Sequence, residues 1–171
     1  MTQITLGYSD SEDRLWMLFA SDATQLWLTR RMTEVLLLRM AERMTISCPG
    51  AAMDVSLHAD VRVALEHEAA HEVEDPPKSV QESAADAAPA NLAPGHIYRI
   101  NSFNLTVSSN QVLLEALAPG FNRKLTMSRA EAHRFIAALA RRTRAAEWNI
   151  PNLPHWLNGP SSGPGSNQAA A

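Results

Sequence analysis

The chain has 171 residues, 46% of them hydrophobic and 19% charged, with a net charge of −3. That is enough for one domain or two small units sharing a core, and the single cysteine, Cys48, excludes an intramolecular disulfide and any multi-cysteine metal site. The longest apolar run, Val35 to Leu38, is far short of the about 20 residues a membrane span needs, and the opening residues carry no secretory-signal pattern, so a soluble cytoplasmic protein with no membrane contact is expected.

Ile4, Leu6 and Tyr8 alternate with Thr5 and Gly7, the pattern of a half-buried strand. Leu15 to Phe19 is apolar on both faces, which predicts a central strand covered twice. A turn at Ser21-Asp22-Ala23 leads to a short strand, Gln25 to Leu28. Thr29 is then placed to cap a helix running from about Arg30 to Met44, limited by Pro49-Gly50. Val61, Ala64, Leu65, Ala69 and Val73 have helical spacing within an acidic stretch that ends at Pro76-Pro77. Between Asp60 and Asp86 eight acids face only Arg62 and Lys78, so this connector is strongly acidic and the remainder mildly basic. Residues 76–94, rich in Ala, Pro and Ser, read as a flexible linker.

After Pro94-Gly95 the frame recurs. Ile97 to Val107 predicts a strand bent near Asn101-Ser102, followed by strands at Val112–Leu117 and Lys124–Met127. Ser128 and Glu131 fit a capping box, opening a helix that ends near Ala146. Six pairs keep one offset across both copies: Leu26 and Leu125, Thr29 and Ser128, Arg30 and Arg129, Met40 and Leu139, Ala41 and Ala140, Arg43 and Arg142. Such self-similarity predicts one supersecondary unit used twice. The fold class expected is therefore α+β: duplicated β-β-β-α units in a pseudo-twofold arrangement. The first unit covers 1–46, a connector with an acidic helix 47–75, and the second unit 95–147. A docking segment (148–158) and a disordered tail (159–171) follow.

The helices of the two copies differ. The first is apolar almost all round, and Val35, Leu36, Leu37 and Leu38 are candidates for self-association as well as for the core. The second carries a stripe of Ala132, Phe135, Ile136, Leu139 and Thr143, with an outer basic face expected from Arg129, Arg134, Arg141, Arg142 and Arg144.

His67-Glu68-Ala69-Ala70-His71 matches the H-E-x-x-H pattern of zinc metallopeptidases, in which two histidines share a helical face and the glutamate polarises a zinc-bound water. His67, His71 and Glu74 are the candidate metal ligands and zinc the one candidate cofactor. Glu66, Glu72, Glu74 and Asp75 surround the motif where such sites carry bulky apolar residues, and no Gly-rich continuation with a third histidine follows. A solvated acidic helix without cofactor is therefore expected here, with an adventitious or regulatory metal site as the next reading and a zinc-dependent hydrolase as the remote alternative.

Two sheet-plus-helix units with basic helices resemble, in architecture alone, small duplicated single-strand-binding folds. That resemblance implies phosphate contacts from the arginines and stacking on Trp16, Trp27 or Tyr98. The segment Trp148–Leu157 offers another surface: two prolines stiffen it, and Trp148, Ile150, Leu153, Trp156 and Leu157 are anchors for a protein partner or for the chain's own core. The function expected is non-enzymatic, that of an adaptor or assembly protein that self-associates as a homo-oligomer and docks a protein partner. The alternative is single-stranded nucleic-acid binding through the basic second helix.

Overall fold

The computed structural model describes residues 3–49, 57–72, 80–83 and 96–157. Within them the protein is mixed α+β, with two sheets and three α-helices. β1 (Ile4–Ser9), β2 (Arg14–Phe19) and β3 (Thr24–Thr29) form an antiparallel meander with tight turns. Asp13 and Ala23 take left-handed backbone in those turns, a conformation that aspartate tolerates through local hydrogen bonding. Thr29 ends β3 and caps α1 (Arg30–Ile46), its hydroxyl accepting from the Met32 amide at 3.3 Å. That satisfies one of the orphan donors at a helix start.

β2 lies in the middle of a five-stranded sheet ordered β4-β1-β2-β3-β5. Its Leu15, Met17 and Phe19 join Ile4, Leu6, Leu26 and Leu28 in the main core. Trp16 points to the opposite face, where its ring lies across Gly7 of the neighbouring strand. A methyl group at Gly7 would overlap the ring carbons of Trp16. Gly7→Ala is expected to destabilise the protein by about 1–3 kcal/mol, the usual range for overpacking, read as a lower urea midpoint at unchanged slope.

Both sheet edges are parallel strands from later in the chain. β4 (Val80–Glu82) pairs with β1, and β5 (Ile97–Arg99) with β3. β4 falls inside the stretch expected to be a linker, and Ser83 adds a hydrogen bond to the Leu6 carbonyl at 2.8 Å. The rest of that stretch, 76–79 and 84–94, and the tail 159–171 lie outside the described residues.

The strand expected over 97–107 is two strands in different sheets. The Ile100 amide donates to the Trp27 carbonyl in the first sheet and the Asn101 amide to the Leu117 carbonyl in the second, each at 3.0 Å. β6 (Ser102–Val107), β7 (Gln111–Ala118) and β8 (Phe121–Ser128) form that second, antiparallel sheet. β8 is longer than expected because Gly120, at positive φ, makes a tight turn that lets Phe121 pair with Ala118. One face buries Val112, Leu114, Ala116, Leu125 and Met127, while Asn104, Glu115 and Lys124 pair on the other. This is the one-sided alternation of an antiparallel sheet.

α3 (Arg129–Ala145) starts at the expected capping box, with the Glu131 amide donating to the Ser128 hydroxyl and the Ser128 amide to Glu131. α1 packs on β2, β3 and β6, and α3 on β1, β4, β7 and β8, so both helices touch both sheets and share one core. That double covering is why α1 is apolar nearly all round. α2 (Ala59–Glu72) lies across α1 and α3. No helix among the described residues is long and apolar enough to cross a membrane.

α3 ends with Glu147 at positive φ. The Glu147 amide donates to Arg144 and the Trp148 amide to Thr143, which is a Schellman motif with glutamate in the usual glycine position. It turns residues 148–157 back onto the body, where they end in a 3-10 turn, His155–Leu157.

Candidate functional site

The densest polar cluster lies where α2 meets α3, and the phase of α2 creates it. Val63, Glu66, His67 and Ala70 share the inward face, whereas Val61 and Leu65, expected on the apolar stripe, are 45% and 52% exposed. The acidic helix therefore turns a carboxylate and an imidazole inward and leucine and valine outward. This corrects the expectation of a fully solvated acidic face.

Arg129 and His133, one turn apart on α3, meet that inward face. Arg129, assigned to the outer basic face from sequence, is only 5% exposed. Its guanidinium forms a bidentate pair with Glu66, Nη2 donating to Oε2 at 2.6 Å. The remaining N–H groups reach the Ser47 hydroxyl at 2.9 Å, the Ser108 carbonyl at 3.0 Å and the Met44 carbonyl at 3.1 Å. Every guanidinium donor is satisfied. One side chain thus ties α2, the end of α1 and the β6–β7 turn to the start of α3.

Fully buried His133 continues the chain of contacts. Its Nε2 lies 3.2 Å from Glu66 Oε2 and its Nδ1 3.2 Å from Nδ1 of His67. The two Nδ1 atoms share a hydrogen bond whose donor is set by the tautomers of the two rings. Burial raises the Glu66 carboxyl, but hydrogen bonds from Arg129 and His133 outweigh it and hold the group at about 2. Burial, reinforced by His133, His71 and Arg141, pulls His67 down to about 4. Burial and the nearby Arg141 also lower His71. Trp156 stands edge-on to His67 and His133, with ring centroids 5.1 and 5.6 Å away.

The candidate zinc set is described only in part. The rings of His67 and His71 are 4.7 Å apart, Glu68 is exposed, and Glu74 lies outside the described residues. Among the described residues no group of three or more His, Cys, Asp and Glu side chains is arranged to hold a metal ion. The partner brought to His67 is His133 of α3, which belongs to no motif in the sequence. Its signal was its position beside Ala132 and one turn before Ile136 and Ala137, on the stripe that the helix buries.

The docking segment lies in the core. Trp148, Ile150, Trp156 and Leu157 are buried, and Leu153 packs partly buried against the same core. Trp148 Nε1 donates to Asp13 at 2.7 Å, beside a Tyr8 hydroxyl doing the same at 2.8 Å. The basic side chains are also engaged. Arg134 donates to the Ala70 carbonyl, Arg141 and Arg142 pair with Glu82, and Arg144 donates to the Ala140 and Leu157 carbonyls. Of the self-association candidates, Leu36 and Leu37 are fully buried and Leu38 half-buried, leaving Val35 exposed. Trp16 is buried and Tyr98 stacks on Phe121 at 3.7 Å, while Trp27 is partly exposed.

A groove of about 520 Å³ runs along the outer side of α1 from Leu38 to Ile46 and is closed by Asp60 of α2 and by Asn152 and Pro154. No protein-family model, curated protein or solved structure matches the chain.

Proposed function

We infer that the protein is a non-enzymatic assembly protein that self-associates through the outer faces of α1 and α2. The observation that supports this is the inverted phase of α2. Of the six large hydrophobic side chains that are exposed among the described residues, five belong to this region: Val35 and Ile46 on α1, and Leu57, Val61 and Leu65 on or just before α2. A helix that buries Glu66 and His67 while leaving valine and leucine in water is unfavourable unless something covers the apolar side. A second copy of the chain suits the surface because its rim carries both signs, Arg39, Glu42 and Arg43 on α1 with Asp60 and Glu68 on α2. Self-pairing then need not oppose like charges. The partner-docking role of 148–157 is less well supported, since its anchors are buried in the chain's own core. Nucleic-acid binding has little support while the basic side chains are engaged with Glu82 and main-chain carbonyls.

The shared frame fits this reading. We read β1-β2-β3-α1 and β6-β7-β8-α3 as copies of one unit in a pseudo-twofold arrangement. Both have a hydroxyl cap at the strand–helix junction, and Leu26/Leu125, Met40/Leu139 and Ala41/Ala140 are buried in pairs. Arg30, exposed and bonded to the Asn149 carbonyl, has diverged from its buried counterpart Arg129.

The test is the mass in solution of the full chain and of a Val61→Glu/Leu65→Glu variant. Both sites are exposed in the single chain, so the variant should keep the wild-type circular dichroism spectrum. The wild type is expected at the mass of two chains by light scattering, and the variant at one. A wild-type monomer at high protein concentration overturns the proposal.

A further inference from the structure

The imidazole pair between α2 and α3 plays no part in an outward assembly face. We propose that His67 and His133 bind a divalent transition-metal ion of the zinc class, each ligating through Nδ1. The two Nδ1 atoms are 3.2 Å apart. A tetrahedral ion with metal–nitrogen bonds of about 2.0–2.1 Å sets its donor atoms roughly 3.3–3.4 Å apart. An ion can therefore replace the shared proton at nearly this separation, the rings turning so that both lone pairs aim off the Nδ1–Nδ1 line at the metal.

The far side of His133 is built as metal-binding histidines require. Its Nε2 lies 3.2 Å from Glu66 Oε2, so a carboxylate stands behind the ring on the side away from the proposed ion, as it commonly does for a metal-ligating histidine. Glu66 is itself held by the bidentate contact with Arg129. Trp156 walls one side of both rings and limits their rotation. With two protein donors, the remaining positions on the ion are taken by water or an external ligand. Imidazole donors of this kind suit zinc, copper and nickel better than magnesium or calcium. The geometry differs from the H-E-x-x-H expectation, because the second ligand comes from another helix and not from His71.

The test uses the untagged full chain, stripped with a chelator and titrated with Zn²⁺ against a chromophoric competitor. One equivalent is expected to bind, and the melting temperature to rise with it. His67→Gln and His133→Gln should each weaken binding by roughly tenfold or more, and His71→Gln by far less. Because His133 is buried and its variant can fail to fold, nitrogen-15 spectra of the wild-type histidines provide a second readout. Zn²⁺ should shift Nδ1 of His67 and of His133. Stoichiometric binding that leaves the His133 resonances unmoved, loss of binding on His71→Gln alone, or no saturable binding would each overturn the proposal.

Discussion

Truncation after Glu147 is expected to abolish cooperative folding. The cut removes Trp148, Ile150, Trp156 and Leu157 from the core, each of them less than a tenth exposed. Burial of a large apolar side chain contributes about 1.5–3 kcal/mol, so the four together represent roughly 6–12 kcal/mol. A domain of this size has a net stability of only about 5–15 kcal/mol. The cut also strips Asp13 of its Trp148 donor and leaves Tyr8 without its edge-on ring partner at 5.8 Å. Circular dichroism with urea is the measurement. A truncated chain that still unfolds in one sharp transition near the wild-type midpoint would show that the segment is an appendage and return it to the candidates for partner docking.

Arg129→Ala is expected to cost about 3–5 kcal/mol, the penalty for breaking a buried ion pair and leaving one charge unmatched. Glu66 would keep a half-buried carboxylate without its main partner, and the Met44 and Ser108 carbonyls would lose their donor. Arg129→Lys should recover only part of the loss, because a single ammonium cannot reproduce the fork that holds both Glu66 oxygens. The acid limb of stability carries the same signature. The Glu66 pKa is depressed in the folded protein from 4.5 to about 2. Its contribution is therefore fully present above 4.5 and is lost as the pH falls toward 2. Stability in that window should fall less steeply in Arg129→Ala than in the wild type, measured as urea midpoints across pH. Parallel profiles for the two proteins would contradict the account of this ion pair.

The parts of the fold that local chemistry decides were legible in the sequence. Thr29 and Ser128 marked the helix starts because a hydroxyl before an apolar run has one obvious use there. Leu15 to Phe19 marked the central strand because no face of it tolerates water. β4 was not legible: Val80-Gln81-Glu82 has no periodic signal, and its pairing rests on main-chain bonds to β1. The change of sheet after Ile100 showed in the sequence only as a bend, since its cause is hydrogen bonding to Trp27 and Leu117, both distant in the chain. The return of 148–157 was hidden because Glu147 occupies a position where glycine is the usual signal.

The candidate site was half visible. The H-E-x-x-H run drew attention to the right turn of α2 but to the wrong carboxylate. Helix phase decides whether Glu66 or Glu68 faces inward, and the apolar residues of α2 pointed to the opposite phase. Val61 and Leu65 would ordinarily set the buried side, and it is Arg129, 63 residues beyond Glu66, and His133, 66 beyond His67, that override them. Propensity within α2 could not reveal that partner. The same inversion leaves the apolar stripe in water, so the polar cluster and the proposed assembly face have one physical origin.

Amide hydrogen exchange of the full chain at low and high protein concentration tests that assembly face most directly. If copies pair through α1 and α2, amides around Val35–Ile46 and Leu57–Leu65 exchange more slowly at high concentration, while those of β6–β8 do not change. Protection along α2 that is independent of concentration would contradict it.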